Sequence, residues 1–138
     1  MANILSNEQK QLIVDTIRKT ITDVSIIYLF GSYAKGVALE SSDIDIAVLG
    51  NSNYSNINLW RLAQELSAGC GHDMDIVDLR QTTTVMRVQI VAESEHLYDD
   101  GNEESIVFED FVFSDYARLN EERRGILEDI SSRGNIYG

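Results

Sequence analysis

The stretch from Val24 to Leu49 constrains the fold most, because it places a tight turn and a pair of carboxylates between two strand-like runs. Val24-Ser25-Ile26-Ile27-Tyr28-Leu29-Phe30 is short, apolar and rich in β-branched and aromatic residues, which is the pattern of a buried strand. Gly31-Ser32 breaks that run. A glycine there lets the backbone turn sharply toward a ligand, while the Ser32 hydroxyl and the amides opening a short helix suit an anion. After nine further residues comes Ser42-Asp43-Ile44-Asp45-Ile46-Ala47-Val48-Leu49, which alternates and then becomes continuously apolar, so it enters a core as a second strand. Period two puts Asp43 and Asp45 on one face and Ile44 and Ile46 on the other. Two carboxylates so close repel each other, and hard oxygen donors on one short segment favour Mg²⁺ or Mn²⁺ completed by waters and phosphate oxygens.

Phe30-Gly31-Ser32-Tyr33-Ala34-Lys35-Gly36 followed by Ser41-Ser42-Asp43-Ile44-Asp45-Ile46-Ala47-Val48 resembles the signature of the polymerase-beta nucleotidyltransferase superfamily in its smallest, MNT-type form. The order of elements resembles that family almost to the end of the chain. The resemblance implies that Gly31 and Ser32 hold the terminal phosphates of a nucleoside triphosphate. It also implies that Asp43 and Asp45 bind two metal ions together with a third carboxylate from a neighbouring strand. His72-Asp73-Met74-Asp75-Ile76-Val77-Asp78-Leu79 supplies the candidates for the third. Asp75 matches the position where relatives carry an aspartate opening the strand, and it is assigned as third ligand and base. Asp73, two residues earlier, faces the same side and is the rival; Asp78 faces the opposite side and reads as a capping residue. Lys35, four residues after Gly31, stands where a cation could reach a triphosphate, and equally where a lysine would simply be solvated.

A chain of 138 residues is expected to form one domain over residues 1–138, with no room for a second substrate-holding unit. The balance of 23 acidic against 11 basic residues, a formal charge of −12, argues against a nucleic-acid surface and favours a basic partner or a small substrate carried with Mg²⁺. Cys70 is the single cysteine, so a disulfide framework and a cysteine-rich metal site are excluded, as suits a reducing compartment. The amino-terminal residues lack a basic segment followed by an apolar one, and no later segment is long and uncharged enough to span a membrane, so a cytoplasmic location is expected.

Ser6-Asn7-Glu8-Gln9 has capping-box spacing ahead of the stripe Leu12, Ile13, Val14, Ile17 and Ile21, which predicts a first helix ending near Thr22. A short helix from about Tyr33 to Ala38 follows the Gly-Ser turn. Ile57 to Ala68 predicts a helix with Leu59, Leu62, Ala63 and Leu66 at core spacing and Gly69 as its cap. Thr82 to Ala92 reads as another helix, His96-Leu97-Tyr98 as a brief edge strand, and the residues from about Glu103 as a terminal helix, interrupted or not, that ends before Gly134. Phe108, Phe111, Phe113 and Tyr116 exceed what one narrow stripe buries, which points to partner docking by this segment, and Ile126 and Ile130 continue its helical pattern. The expected architecture is α/β: a small mixed sheet flanked by helices, with a polymerase-beta-like nucleotidyltransferase fold in a single domain.

Other residues carry weaker readings. Tyr33 either stacks near the nucleotide or packs beside the turn, and Trp60 is assigned to the core or to a partner surface. His72 and His96 have no companion at metal-ligand spacing. Arg118, Arg123 and Arg124, interleaved with Glu121 and Glu122, form either a solvated face or part of the docking surface. The resemblance implies a subunit that works beside a helical HEPT-type toxin in a hetero-oligomer, transferring AMP from ATP onto a hydroxyl, expected to be a tyrosine, and so acting as its antitoxin. A small-molecule adenylyltransferase of the aminoglycoside-modifying type and a non-catalytic antitoxin that only binds are the alternatives.

Overall fold

The computed structural model describes residues 3–137, with side chains described as far as Gly125. Helix α1 (Asn7–Thr20) opens as its sequence predicts: the Ser6 hydroxyl accepts from Gln9 N–H at 3.1 Å and the Gln9 side chain returns the bond to Ser6 N–H at 2.9 Å. It ends two residues earlier than expected because Ile21 turns extended, at φ −110° and ψ 90°. Strand β1 (Val24–Phe30), helix α2 (Ser32–Lys35), strand β2 (Ile44–Gly50), helix α3 (Asn56–Cys70) and strand β3 (Met74–Asp78) follow. A single 3₁₀ turn (Leu79–Gln81), helix α4 (Thr84–Glu93), strand β4 (Glu95–Asp99) and helix α5 (Glu103–Tyr137) complete the chain.

The sheet is mixed, in the order β3-β2-β1-β4: β1 is antiparallel to both β2 and β4, and β2 is parallel to β3. Alternation along the two central strands feeds two cores. Ile27, Leu29, Ile44, Ile46 and Val48 pack with Ile13, Val14 and Ile17 of α1 and Leu59, Leu62 and Leu66 of α3. On the other face Ile26, Tyr28, Ala47 and Leu49 pack with Ile90 of α4 and against Phe108 of α5. Burial on both faces explains why β1 and β2 read as nearly continuous apolar runs.

Two boundaries differ from expectation for tertiary reasons. Helix α3 runs through Gly69 and is capped by Gly71, which adopts the left-handed conformation at φ 74°. Gly69 instead faces α1, where a Cβ would lie 3.1 Å from a methyl of Leu12. The terminal helix is continuous from Glu103 to Tyr137, with no interruption and no end before Gly134. Its amino-terminal turns grip the sheet: Ser105 and Val112 are buried, Tyr28 Oη donates to Glu109 at 3.2 Å, and Arg80 and Arg87 lie 4.7 and 5.7 Å from the Phe108 ring. Ile126 and Ile130 of the helical pattern lie outside the described side chains. Among the described residues no helix is long and apolar enough to cross a membrane.

Candidate active site

β1 and β2 run antiparallel with Phe30 opposite Asp45, so the turn after β1 and the acidic start of β2 meet at one end of the sheet. Gly31 makes that meeting possible. Its φ of 72° and ψ of −152° lie in a region that only glycine occupies freely. A Cβ there would be driven into the Asp45 carboxylate, 3.1 Å from its Cγ. The turn backbone and the carboxylate are thus held in contact by the absence of a side chain. Ser32 begins α2, and among the described residues no side chain caps that helix start, so its first amides are open to an acceptor. Gly36, left-handed at φ 74°, ends α2 after Lys35, so this helix is shorter than the Tyr33 to Ala38 expected.

Asp45 belongs to β2, while Asp43 lies just before the strand and is exposed. The parallel register pairs Asp45 with Asp75 and Ile44 with Met74. Asp75 therefore stands beside Asp45 on the same face as Val77, opposite the face that Met74 and Ile76 bury against α3. Burial, then Asp75, then Asp43 push the Asp45 carboxyl up from its ordinary range to about 6. Asp73 stands outside the strand and gives its carbonyl to Ile44 N–H at 2.9 Å.

Asp43 and Asp75 crowding the half-buried Asp45, with hard oxygen donors only, have the chemistry of a divalent-cation site. Among the described residues no group of three or more His, Cys, Asp or Glu side chains is drawn tightly enough to enclose an ion.

The remaining sequence-predicted residues divide. Lys35 is exposed at the end of α2 and pairs with Glu93 at 3.4 Å, on the rim of the site. Tyr33 is buried, and its hydroxyl lies 3.5 Å from His72 Nδ1, so it packs beside the turn. Asp78 caps the 3₁₀ turn, as its face predicted. Cys70 is buried and its thiol pKa is pushed up by that burial, consistent with an inert thiol. Trp60 is not core: it is 64% exposed on α3 and shares a groove of about 320 Å³ with Asp75, a neighbourhood that α3 periodicity alone did not reveal.

Residues 11–103 match the family described as Polymerase beta, Nucleotidyltransferase. Over 124 residues, 90% of this chain and 87% of the relative, the sequence is 39% identical to Protein adenylyltransferase MntA of Shewanella oneidensis. The fold is similar to that in the crystal structure of a toxin-antitoxin with AMP-PNP, with a TM-score of 0.79, 38% identity, and coverage of 91% of this chain and 98% of that one. It is also similar to a chain in the structure of a tri-AMPylated Shewanella oneidensis HEPN toxin with MNT antitoxin, with a TM-score of 0.75, 34% identity and the same 91% and 98% coverage.

Proposed function

Because this chain belongs to the polymerase-beta nucleotidyltransferase family, we propose that it is a metal-dependent protein adenylyltransferase that moves AMP from ATP onto a tyrosine hydroxyl of a helical HEPT-type toxin, and so acts as its antitoxin. The observation that carries this reading is the 39% identity to an adenylyltransferase over 90% of the chain; the grouping of Gly31, Ser32, Asp43, Asp45 and Asp75 at one end of the sheet supports it.

In this mechanism Ser32 and the first amides of α2 hold the β- and γ-phosphates, and Lys35 on the rim adds a charge for the departing pyrophosphate. Asp43, Asp45 and Asp75 are the residues that would hold Mg²⁺ or Mn²⁺. When bound there, divalent ions neutralise the triphosphate and lower the pKa of the attacking hydroxyl. Asp75, the outermost of the three in the sheet, accepts the proton of the acceptor hydroxyl. The acceptor oxygen forms a bond to the α-phosphorus, the bond from that phosphorus to the β-bridging oxygen breaks, and pyrophosphate leaves with the electron pair. The protein positions the acceptor within about 3 to 3.5 Å of the phosphorus and stabilises charge.

Docking falls to α5, where Ile106, Val107, Phe111 and Phe113 are 54, 65, 53 and 46% exposed. The antitoxin and its toxin would form a cytoplasmic hetero-oligomer, where ATP and Mg²⁺ are at hand. Intact-mass measurement of a co-expressed HEPT-type toxin, incubated with this chain, ATP and Mg²⁺, should show added AMP. An unmodified toxin that is still neutralised would leave an antitoxin that acts by binding alone, and transfer to an aminoglycoside but not to the toxin would make the chain a small-molecule enzyme.

A further inference from the structure

Strand β3 is an edge of the sheet, with only β2 beside it among the described residues. Along its free side runs the groove of about 320 Å³, walled by Asn56, Trp60 and Ala63 of α3 and by Gln81 and Thr82, with Asp75 in its lining. Asn56, Trp60 and Ala63 share one face of α3, since they are four and three residues apart. Trp60, 64% exposed, offers that groove a large flat apolar surface. An unpaired strand edge offers backbone donors and acceptors to an incoming extended chain, and a five-residue strand provides about 16 Å of such edge.

Resting on the adenylyltransferase reading above, we propose that this groove is the acceptor channel: an extended, Lys- or Arg-bearing segment of the partner lies along β3, packs on Trp60, and brings its hydroxyl to Asp75. Charge selects this occupant over the nucleotide. Among the described residues the groove is lined by the exposed carboxylate of Asp75 and by no Lys or Arg, in a chain of net charge −12, so a triphosphate is repelled from it and a basic segment is drawn in. A cation on that segment also gains from the Trp60 ring. Continuity with the site supplies the function, because whatever fills the groove meets the carboxylate that takes the proton.

Trp60 is the single tryptophan of the chain, so it reports on the groove directly. The full chain, labelled with fluorotryptophan, is followed by fluorine NMR alone, with Mg²⁺ and AMP-PNP, and with unlabelled HEPT-type toxin. The expected result is a shifted, solvent-protected resonance with toxin only. Protection by the nucleotide alone, protection that depends on the concentration of this chain alone, or no change with toxin would each overturn the proposal. Kinetics give the second readout. Trp60→Ala should raise the KM for toxin roughly tenfold or more, as loss of an aromatic anchor does, with the KM for ATP unchanged and Trp60→Phe retaining most of the binding. Equal effects on both KM values, or none, would also overturn it. If the wild-type chain protects Trp60 with toxin yet transfers no AMP, the channel stands as a docking groove and the enzymatic reading fails by itself.

Discussion

Asp75 lies beside Asp45 across the parallel β2–β3 pair, whereas Asp73 is engaged through its backbone, its carbonyl accepting from Ile44 N–H at 2.9 Å. On this register we propose Asp75 as the third carboxylate, with Asp73 as its rival. Asp75→Asn removes a base and a ligand charge while leaving Gly31, Ser32, Asp43 and Asp45 to hold the triphosphate. It should slow AMP transfer by about 10² to 10⁴, with nucleotide affinity largely kept. Asp73→Asn should leave the rate within a few-fold of wild type. Labelled-AMP incorporation and a nucleotide titration on both variants check this, and a crippled Asp73→Asn would transfer the assignment to Asp73.

The Asp45 carboxyl, pushed up to about 6 by burial, Asp75 and Asp43, gives the metal-free fold a definite pH dependence. Its folded pKa lies above its unfolded value of 3.8, so the folded state binds the extra proton. That contribution is full below pH 3.8 and is lost as pH rises through about 6. In a chelator, the thermal midpoint of wild type should therefore fall relative to that of Asp45→Asn across this window. The double variant Asp43→Asn with Asp45→Asn should stay folded and lose transfer altogether. A gap between wild type and Asp45→Asn that closes with rising pH would contradict the sign argued here.

Much of this was legible locally. The runs that became β1 and β2 are buried on both faces and so announce themselves without alternation, and Ser6 with Gln9 spells out the start of α1. What the sequence left open depends on contacts between distant segments. Gly69 reads as the cap of α3 until Leu12 of α1 is found against it and the helix runs on to Gly71. Trp60 sits one residue after Leu59, and only the completed α3 core of Leu59, Leu62, Ala63 and Leu66 shows that no room remains for it inside. Lys35 could face phosphate or solvent; Glu93, 58 residues further along the chain, holds it at the rim. The β2–β3 register that sets Asp75 beside Asp45 is likewise encoded by no local pattern.

Asp78 offers a last contrast among the carboxylates of one strand. It is 3% exposed and accepts from Tyr54 N–H at 2.9 Å, Arg80 N–H at 3.0 Å and the Gln81 side-chain amide at 2.7 Å. These bonds tie the loop after β2 and the 3₁₀ turn to the end of β3 opposite the active site. Asp78→Ala would leave three donors short of an acceptor, at a cost of about 2 to 4 kcal/mol, since each orphaned donor loses its desolvation compensation. Asp78→Asn should cost less, because one amide oxygen still accepts. Neither change touches the metal-binding end, so AMP transfer per folded molecule should stay near wild type at low temperature while chemical denaturation shows the loss of stability. A transfer rate that collapses in folded Asp78→Asn would mean that Asp78 acts in the chemistry, and that the division of β3 into a reactive end and a structural end is wrong.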